Sequence, residues 1–220
     1  MPDILTSGEW LAITARTLDV SGFALLVAVL LGIPAGVALA MARFRGKAVI
    51  LAIVNTGMSL PPVVVGLVVA LALFRGGPLG FLDLMYTTPA MVLAQAIIAL
   101  PLVISLTAAG VEQLDPELKL QIISLGASRI ELGWILLGEA RLSVLAAVMA
   151  GFGGALSEVG AVMMVGGNLR GQTRVLTTAI VQHTRMGEFA AAVLLGVVLL
   201  TLAFVVNLCF THLQHGATKR

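Results

Sequence analysis

Charge, cysteine and histidine are all scarce in this chain, and these shortages exclude several classes of protein. Only 11% of its 220 residues are charged, which is about half the share that soluble domains carry. A net charge of +2 gives no basis for nucleic-acid binding. Cys209 is the only cysteine, so an intrachain disulfide is excluded. The histidines are dispersed, and we expect no metal site from them: they are His183, His212 and His215.

A nucleotide-binding loop is also missing from the sequence. There is no Gly-x-x-x-x-Gly-Lys-[Ser/Thr] motif, and the only Gly-Lys pair, Gly46-Lys47, is followed by alanine. We therefore expect this chain to bind no ATP, Mg²⁺ or other cofactor. The dispersed histidines also fail to supply the cluster of catalytic groups that a membrane enzyme needs.

The chain is rich in long runs of apolar residues. Hydrophobic residues make up 59% of it, and the mean hydropathy is +1.07. Apolar runs long enough to cross a bilayer recur along the chain, which predicts an all-α, multi-pass protein of the cell membrane, surrounded by lipid. We predict one transmembrane domain over residues 1–220 with five spans, near residues 18–42, 48–74, 89–111, 142–166 and 189–211.

The basic residues indicate an orientation, because cytoplasmic loops are enriched in Lys and Arg. With the N-terminus outside, the inner set is Arg43, Arg45, Lys47, Lys119, Arg129, Arg141, Lys219 and Arg220. The outer set is the smaller one: Arg16, Arg75, Arg170, Arg174 and Arg185. This predicts an inside C-terminus and a cytoplasmic segment at 114–141. Residues 167–188 then lie outside, with the apolar patch 175–181 folded back as a short re-entrant helix.

The segment 114–141 has the pattern of two short helices joined by a turn. Asp115-Pro116 starts the first, with a capping carboxylate and a proline in the first turn. Its apolar face is expected to consist of Leu118, Ile122 and Leu125. Gly126 permits the chain to reverse, with Lys119 and Arg129 near the tip.

The second helix of this segment begins with a capping box. Ser128 is followed three residues later by Glu131, which predicts a helix towards Leu137. The whole segment is therefore a helix–turn–helix elbow at the membrane face. It is either a docking element for another protein or an amphipathic interfacial connector.

Span two contains polar residues and a proline pair that a membrane helix tolerates only against protein or water. Asn55 and Ser59 precede Pro61-Pro62, and the prolines must kink or break the helix. This feature is either a packing kink or part of the wall of a pathway. Neutral donors suit the passage of a divalent anion, and we assign that role to Asn55, Ser59, Asn168, Thr177 and Thr178.

Glu158 is a carboxylate inside predicted span four, about 24 Å along its axis from the inner end. An intramembrane carboxylate is a functional candidate, but its charge repels an anionic substrate. We expect it to pair with Arg170 or Arg174, or to accept backbone N–H groups that hold an outer gate closed. Five spans enclose little space, so a pathway requires a second copy, which makes a homodimer the natural assembly.

Here the chain resembles a known family. Leu125-Gly126-Ala127-Ser128-Arg129 is similar to the "EAA" loop of ABC importer permeases. Four further elements match permeases of the molybdate type in order: Leu60-Pro61-Pro62-Val63-Val64-Val65-Gly66, Ala99-Leu100-Pro101-Leu102, Ser157-Glu158-Val159-Gly160-Ala161 and Val165-Gly166-Gly167-Asn168. The stretch 167–180 looks most like the tungstate-importer branch.

The resemblance implies a permease subunit that is not an enzyme and imports tungstate, or next molybdate, by alternating access. It implies three kinds of partner: a second copy, two ATPase subunits that carry ATP and Mg²⁺, and an extracytoplasmic binding protein. The implied ATPase contacts are Glu117, Lys119, Gln121, Leu125, Gly126, Ala127, Ser128, Arg129 and Glu131. The implied path and gate residues are Asn55, Ser59, Pro61, Pro62, Glu158 and Asn168.

Two departures weaken the family pattern locally. Leu120-Gln121-Ile122 stands where the family has Glu-Ala-Ala, so Glu117 or Glu131 would have to supply the acidic contact. Gly138-Glu139 stands where Leu-Pro is usual. The alternative function is an ion-coupled secondary transporter that uses Glu158 as its proton or sodium site. Such a transporter should show two related halves, and five spans do not divide equally.

Overall fold

The computed structural model describes residues 8–218, and these form ten α-helices, one 3₁₀ turn at Gly80–Leu82 and no strand. The helices are α1 (Glu9–Met41), α2 (Lys47–Met58), α3 (Pro62–Leu73), α4 (Thr88–Glu112), α5 (Pro116–Ser124), α6 (Arg129–Glu139), α7 (Arg141–Ser157), α8 (Gly160–Gly166), α9 (Leu176–Arg185) and α10 (Phe189–Thr218). The all-α prediction is confirmed. Lys219 and Arg220 of the inner basic set lie outside the described residues.

Three helices are long and apolar enough to cross a membrane, namely α1, α4 and Phe189–His212 of α10. The number rises to five if each of two bent pairs counts as one span. One pair is α2 with α3, bent by 97°, and the other is α6 with α7, bent by 75°. The predicted break at Pro61-Pro62 is confirmed, because α2 ends at Met58 and α3 begins at Pro62.

Two helix boundaries differ from the predicted spans. α1 starts at Glu9 rather than near residue 18, because the polar residues of its first turns have partners in the fold. Arg16 donates to the carbonyl oxygen of Arg174, and the Thr17 hydroxyl accepts the N–H of Leu176. The predicted span 142–166 contains a helix break, because α7 ends at Ser157 and α8 begins at Gly160. Glu158 directly follows α7, so it still lies about 24 Å along the helix axis from the inner end of the span.

The most extensive helix–helix packing in the fold is between α1 and α4. Gly32 and Gly36 of α1 let the two helices approach closely. A Cβ at Gly36 would lie 2.8 Å from the carbonyl oxygen of Ile104, and one at Gly32 would lie 2.9 Å from Val103 Cγ1. Small residues at helix contacts are typical of membrane bundles. The α1–α4 pair is thus the spine on which the other elements are positioned.

Candidate coupling elbow and helix breaks

The first helix of the elbow starts as predicted. The Asp115 carboxylate accepts the N–H of Glu117 at 2.8 Å, and Pro116 occupies the first position of α5. Ile122 is buried and Leu118 partly so, both packed against a cluster that includes Leu136. Placing Leu125 on the same face is wrong, since Leu125 is 88% exposed.

Leu125 is exposed because the helix ends one residue before it. α5 stops at Ser124, and Gly126 follows with a φ of 87°, a conformation that favours glycine. The chain therefore reverses around Leu125 and turns its side chain away from the packed face. The predicted reversal at Gly126 is confirmed.

The predicted capping box at the start of α6 is also confirmed. The Glu131 carboxylate accepts the N–H of Ser128 at 2.7 Å, and the Ser128 hydroxyl accepts the N–H of Glu131 at 3.3 Å. These hydrogen bonds to the side chain and backbone of Ser128 lower the pKa of the Glu131 carboxyl. The turn between α5 and α6 is thereby fixed by local contacts on both sides.

The elbow presents a large apolar surface that remains exposed among the described residues 8–218. Its exposed side chains are Leu120, Ile123, Leu125, Ile130, Trp134 and Ile135. Shallow grooves flank Leu125; one is lined by Glu117, Leu120, Gln121, Ser124 and Leu125, the other by Leu125, Gly126, Ala127, Glu131, Trp134 and Ile135. The sequence analysis did not identify Trp134 as a contact residue. An isolated aromatic residue on a predicted surface helix is the signal that could have identified it. Arg129 is exposed and Lys119 half-buried.

The elbow is attached to the C-terminal end of α1. Gly133 of α6 lies against Val37 and Met41. Lys47 Nζ lies 2.8 Å from Glu112 Oε1. This ion pair joins the start of α2 to the end of α4, from which the chain continues into the elbow. Since α1 has 33 residues, its other end is about 50 Å away at 1.5 Å per residue.

The two helix breaks lie side by side. α3 packs against α8, and each begins directly after a break. A Cβ at Gly160 would lie 2.6 Å from Val63 Cγ2, so a larger residue there would require Val63 to move. The structure therefore brings Pro61 and Pro62 next to the Glu158 break.

Glu158 is buried and engaged by backbone groups. Its Oε1 accepts the N–H of Ala161 at 2.9 Å, and its carbonyl oxygen accepts the hydroxyl of Thr177 at 2.9 Å. Pairing with Arg170 or Arg174 is wrong, because both guanidinium groups lie at Glu9 instead. Acceptance of a backbone N–H, the other alternative, is observed in the first turn of α8, and its role in holding an outer gate closed stays a prediction.

The other predicted path residues are spread more widely. Asn55 Oδ1 accepts the hydroxyl of Ser105 at 2.8 Å on an exposed face, and Ser59 is exposed at the end of α2. Asn168 lies at the far end of α8, with a φ of 52° and its Nδ2 donating to Gln182 Oε1 at 2.7 Å. Thus Asn168 joins the loop at α9 rather than the two breaks.

At the end of α1 opposite the elbow lies a group of charged residues that sequence reasoning did not assemble. We call Glu9, Arg16, Arg170 and Arg174 the arginine cluster. Arg170 Nη2 lies 2.6 Å from Glu9 Oε2, and Arg174 Nη1 lies 3.5 Å from Glu9 Oε1. Hydrogen bonding to Glu9 raises the pKa of Arg170, whereas burial lowers the pKa of Arg174. The contacts join residues 161 positions apart, so no local pattern indicates them.

An all-helical bundle with long apolar helices, two broken helix pairs and a projecting elbow is the architecture of a multi-pass membrane protein. Residues 28–219 match the family described as "Binding-protein-dependent transport system inner membrane component". The chain belongs to that family, and the resemblance seen in the sequence is confirmed. It is accordingly a multi-pass inner-membrane protein.

Relatives and solved structures agree with this assignment. The chain is 39% identical over 201 residues to "Probable anion ABC transporter permease protein" of Haloferax volcanii, covering 89% of this chain and 87% of that one. It is 40% identical over 195 residues to "Tungstate uptake system permease protein TupB" of Peptoclostridium acidaminophilum, covering 89% and 86%. An inward-facing structure of the MetNI methionine ABC transporter has the same fold, with a TM-score of 0.83, 16% identity and 99% coverage of each chain.

Proposed function

We propose that this chain is the path-forming, force-receiving subunit of an ATP-driven importer for a tetrahedral oxyanion, with tungstate first and molybdate second. The observation that carries the proposal is the apolar elbow, whose Leu125, Ile130 and Trp134 are 88%, 75% and 69% exposed. Exposed apolar patches of this kind mark protein-interaction sites. The relative whose name specifies tungstate uptake, at 40% identity, supports the substrate class.

The partner at the elbow is an ATPase subunit, one for each copy of this chain, with ATP and Mg²⁺ bound there. Because this sequence has no nucleotide-binding motif, the energy must reach it through a contact. The elbow suits that role because capping contacts fix its turn and Gly133 packs on α1. Ser128 and Glu131 thus brace the turn, while Leu125 and its flanking grooves make the contact.

A second copy of the chain completes the pathway. One face of α7 is exposed, and after Leu142 it carries small residues at helical spacing: Ala146, Ala150, Gly154 and Ser157. No heavy atom lies within 4 Å of a Cβ built at Gly153 or Gly154, whereas Gly151 packs against Val103 of the same chain. A stripe of this kind lets two membrane helices approach closely.

The translocation path runs past the adjoining breaks at Pro61-Pro62 and Glu158. Broken helices in a membrane protein leave backbone groups free to solvate a passing ion. Asn55 and Ser59 lie on an exposed face that continues from the first break, and their neutral donors suit an oxyanion. Asn168 holds the outer loop beside α9 and is assigned to the gate. A binding protein on the outer side delivers the substrate.

Co-purification tests the coupling proposal. The wild-type chain, expressed with the ATPase encoded for it and purified in mild detergent, should carry that ATPase in equal amount. Leu125→Glu places a charge at the centre of the contact and should remove it. Leu82→Glu is the matched control, since Leu82 is also exposed, at 45%, but lies far along the chain from the elbow. Retention of the ATPase by Leu125→Glu would contradict the proposal.

Stimulation of ATP hydrolysis tests the substrate. The reconstituted complex is given binding protein loaded with tungstate, molybdate or sulfate. We expect the strongest stimulation with tungstate. Transport that follows an ion gradient in the absence of any ATPase would instead favour the secondary-transporter alternative, against which family membership already counts.

A further inference from the structure

The arginine cluster carries more positive charge than its own carboxylate neutralises. Arg170 and Arg174 share Glu9, and Arg16 donates to the carbonyl oxygens of Arg174 and Gly171 at 2.9 and 2.8 Å. Two guanidinium groups thus share one carboxylate, while the third, that of Arg16, is held by backbone carbonyls of the same loop. The nearby His183–Glu188 pair, with Nδ1 and Oε2 2.6 Å apart, uses its carboxylate internally.

Arg174 is the least satisfied member of this group. Only 9% of the residue is exposed, and its Nε–H has no hydrogen-bond partner among the described residues. Its contact with Glu9 is long, at 3.5 Å between Nη1 and Oε1. A buried cation with an unused donor is unfavourable, so this arginine stabilises any further anion that reaches it.

Arg170 provides both the access and the binding geometry. Its Nε and Nη2 both donate to the Glu9 carboxylate, at 3.0 Å to Oε1 and 2.6 Å to Oε2. This planar fork binds two oxygens of a tetrahedral oxyanion equally well. The Arg170 side chain is 72% exposed, so an anion from solvent meets the fork directly and can take the place of Glu9.

We propose that the arginine cluster is an oxyanion-binding site on the face opposite the elbow. Glu9 occupies it as an internal stand-in until a tetrahedral dianion displaces the carboxylate. A dianion carries more charge than Glu9 and leaves its own oxygens for Arg174, so it neutralises the cluster better. The choice of oxyanion as ligand rests on the proposed function. On the importer, this site would retain substrate at the outer mouth.

Equilibrium dialysis of the full-length chain in lipid nanodiscs tests the site without any binding protein. Tungstate is the probe, bound tungsten is counted by mass spectrometry, and chloride holds the ionic strength constant. We expect saturable binding of about one tungstate per chain. Arg170→Gln should weaken it by about tenfold or more, as expected for loss of a bidentate charged contact. Glu9→Gln should strengthen it several-fold, because the internal competitor is gone.

The two variants are expected to change tungstate affinity in opposite directions, and this distinguishes a binding site from a purely structural ion pair. If the ion pair is only structural, Glu9→Gln and Arg170→Gln remove the same contact and act alike. Arg75→Gln is the matched control, an exposed arginine of another loop whose removal changes the net charge equally. Melting temperatures of all variants confirm folding, and Arg170 is exposed enough for substitution to be tolerated.

The proposal is overturned by either of two results: no saturable tungstate binding by the folded wild-type chain, or equal weakening by Glu9→Gln and Arg170→Gln. Those results leave the proposed function intact if loaded binding protein still stimulates ATP hydrolysis. If no oxyanion-loaded binding protein stimulates the complex, the proposed function fails instead, whatever the dialysis shows.

Discussion

The structures at the two ends of α1 are stabilised by opposite kinds of interaction. At the C-terminal end, the elbow is built from capping contacts between residues two or three positions apart, around an exposed apolar surface. At the N-terminal end, the arginine cluster joins residues up to 161 positions apart through charge. A surface of the first kind suits a permanent protein partner. A surface of the second kind suits an exchangeable anion, because ion pairs near water are readily replaced.

The largest expected effect comes from forcing α1 away from α4, because this helix pair positions both the elbow and the arginine cluster. Gly36→Leu would drive a side chain into the carbonyl oxygen of Ile104 and into Thr107, and overpacking of this kind costs about 1–3 kcal/mol or more. We expect loss of the monodisperse protein on size-exclusion chromatography. Gly22→Leu is the control, since nothing lies within 4 Å of a Cβ there. A folded Gly36→Leu protein would show that the spine tolerates displacement.

The helix break at Glu158 gives the next effect. Glu158→Gln retains an amide oxygen that can accept the N–H of Ala161, whereas Glu158→Ala leaves that donor unpaired in a buried place. We expect the Gln variant to transport within about twofold of wild type. The Ala variant should lose more transport activity, and its local stability should fall by about 1 kcal/mol. Tracer uptake and melting temperature measure both. Abolition of uptake by Glu158→Gln alone would indicate that transport requires the negative charge of the carboxylate.

A smaller effect should follow from uncapping the elbow. Ser128→Ala removes the hydroxyl that accepts the Glu131 N–H, at a cost of about 1 kcal/mol to the start of α6. Hydrogen exchange should rise over residues 129–132 and coupling of ATP hydrolysis to uptake should fall. Ser124→Ala is the control, because that hydroxyl bonds only back to the carbonyl of Leu120. Unchanged exchange at the start of α6 would mean that partner contacts, not the cap, fix the elbow.

The smallest effect distinguishes the two ends by salt. Raising the ionic strength screens ion pairs that solvent reaches, so hydrogen exchange over residues 167–175 should increase at the arginine cluster. The elbow should respond less, since its turn depends on short capping hydrogen bonds between neighbouring residues and on apolar packing around Ile122. Equal responses at both ends would contradict the contrast between them.

Local chemistry explains why the elbow was predictable. Asp115-Pro116, Gly126 and the Ser128–Glu131 box each act within one helical turn, so their spacing in sequence already contains their geometry. The position of Leu125 was not predictable from helical spacing, because the exact end of α5 decides which way it faces. The same limit affected span four, where a break at Glu158 replaced one continuous helix.

The sequence by itself determined the class of this protein. Its apolar runs predict a helical membrane protein, and the motifs around Leu60–Gly66 and Leu125–Arg129 carry the resemblance to the permease family to which it belongs. Tertiary structure alone decided that Arg170 and Arg174 lie at Glu9 rather than at Glu158, and that the two helix breaks adjoin. Those contacts depend on how α1, α3 and α8 pack, and packing between residues distant along the chain leaves no periodic or local signal in the sequence.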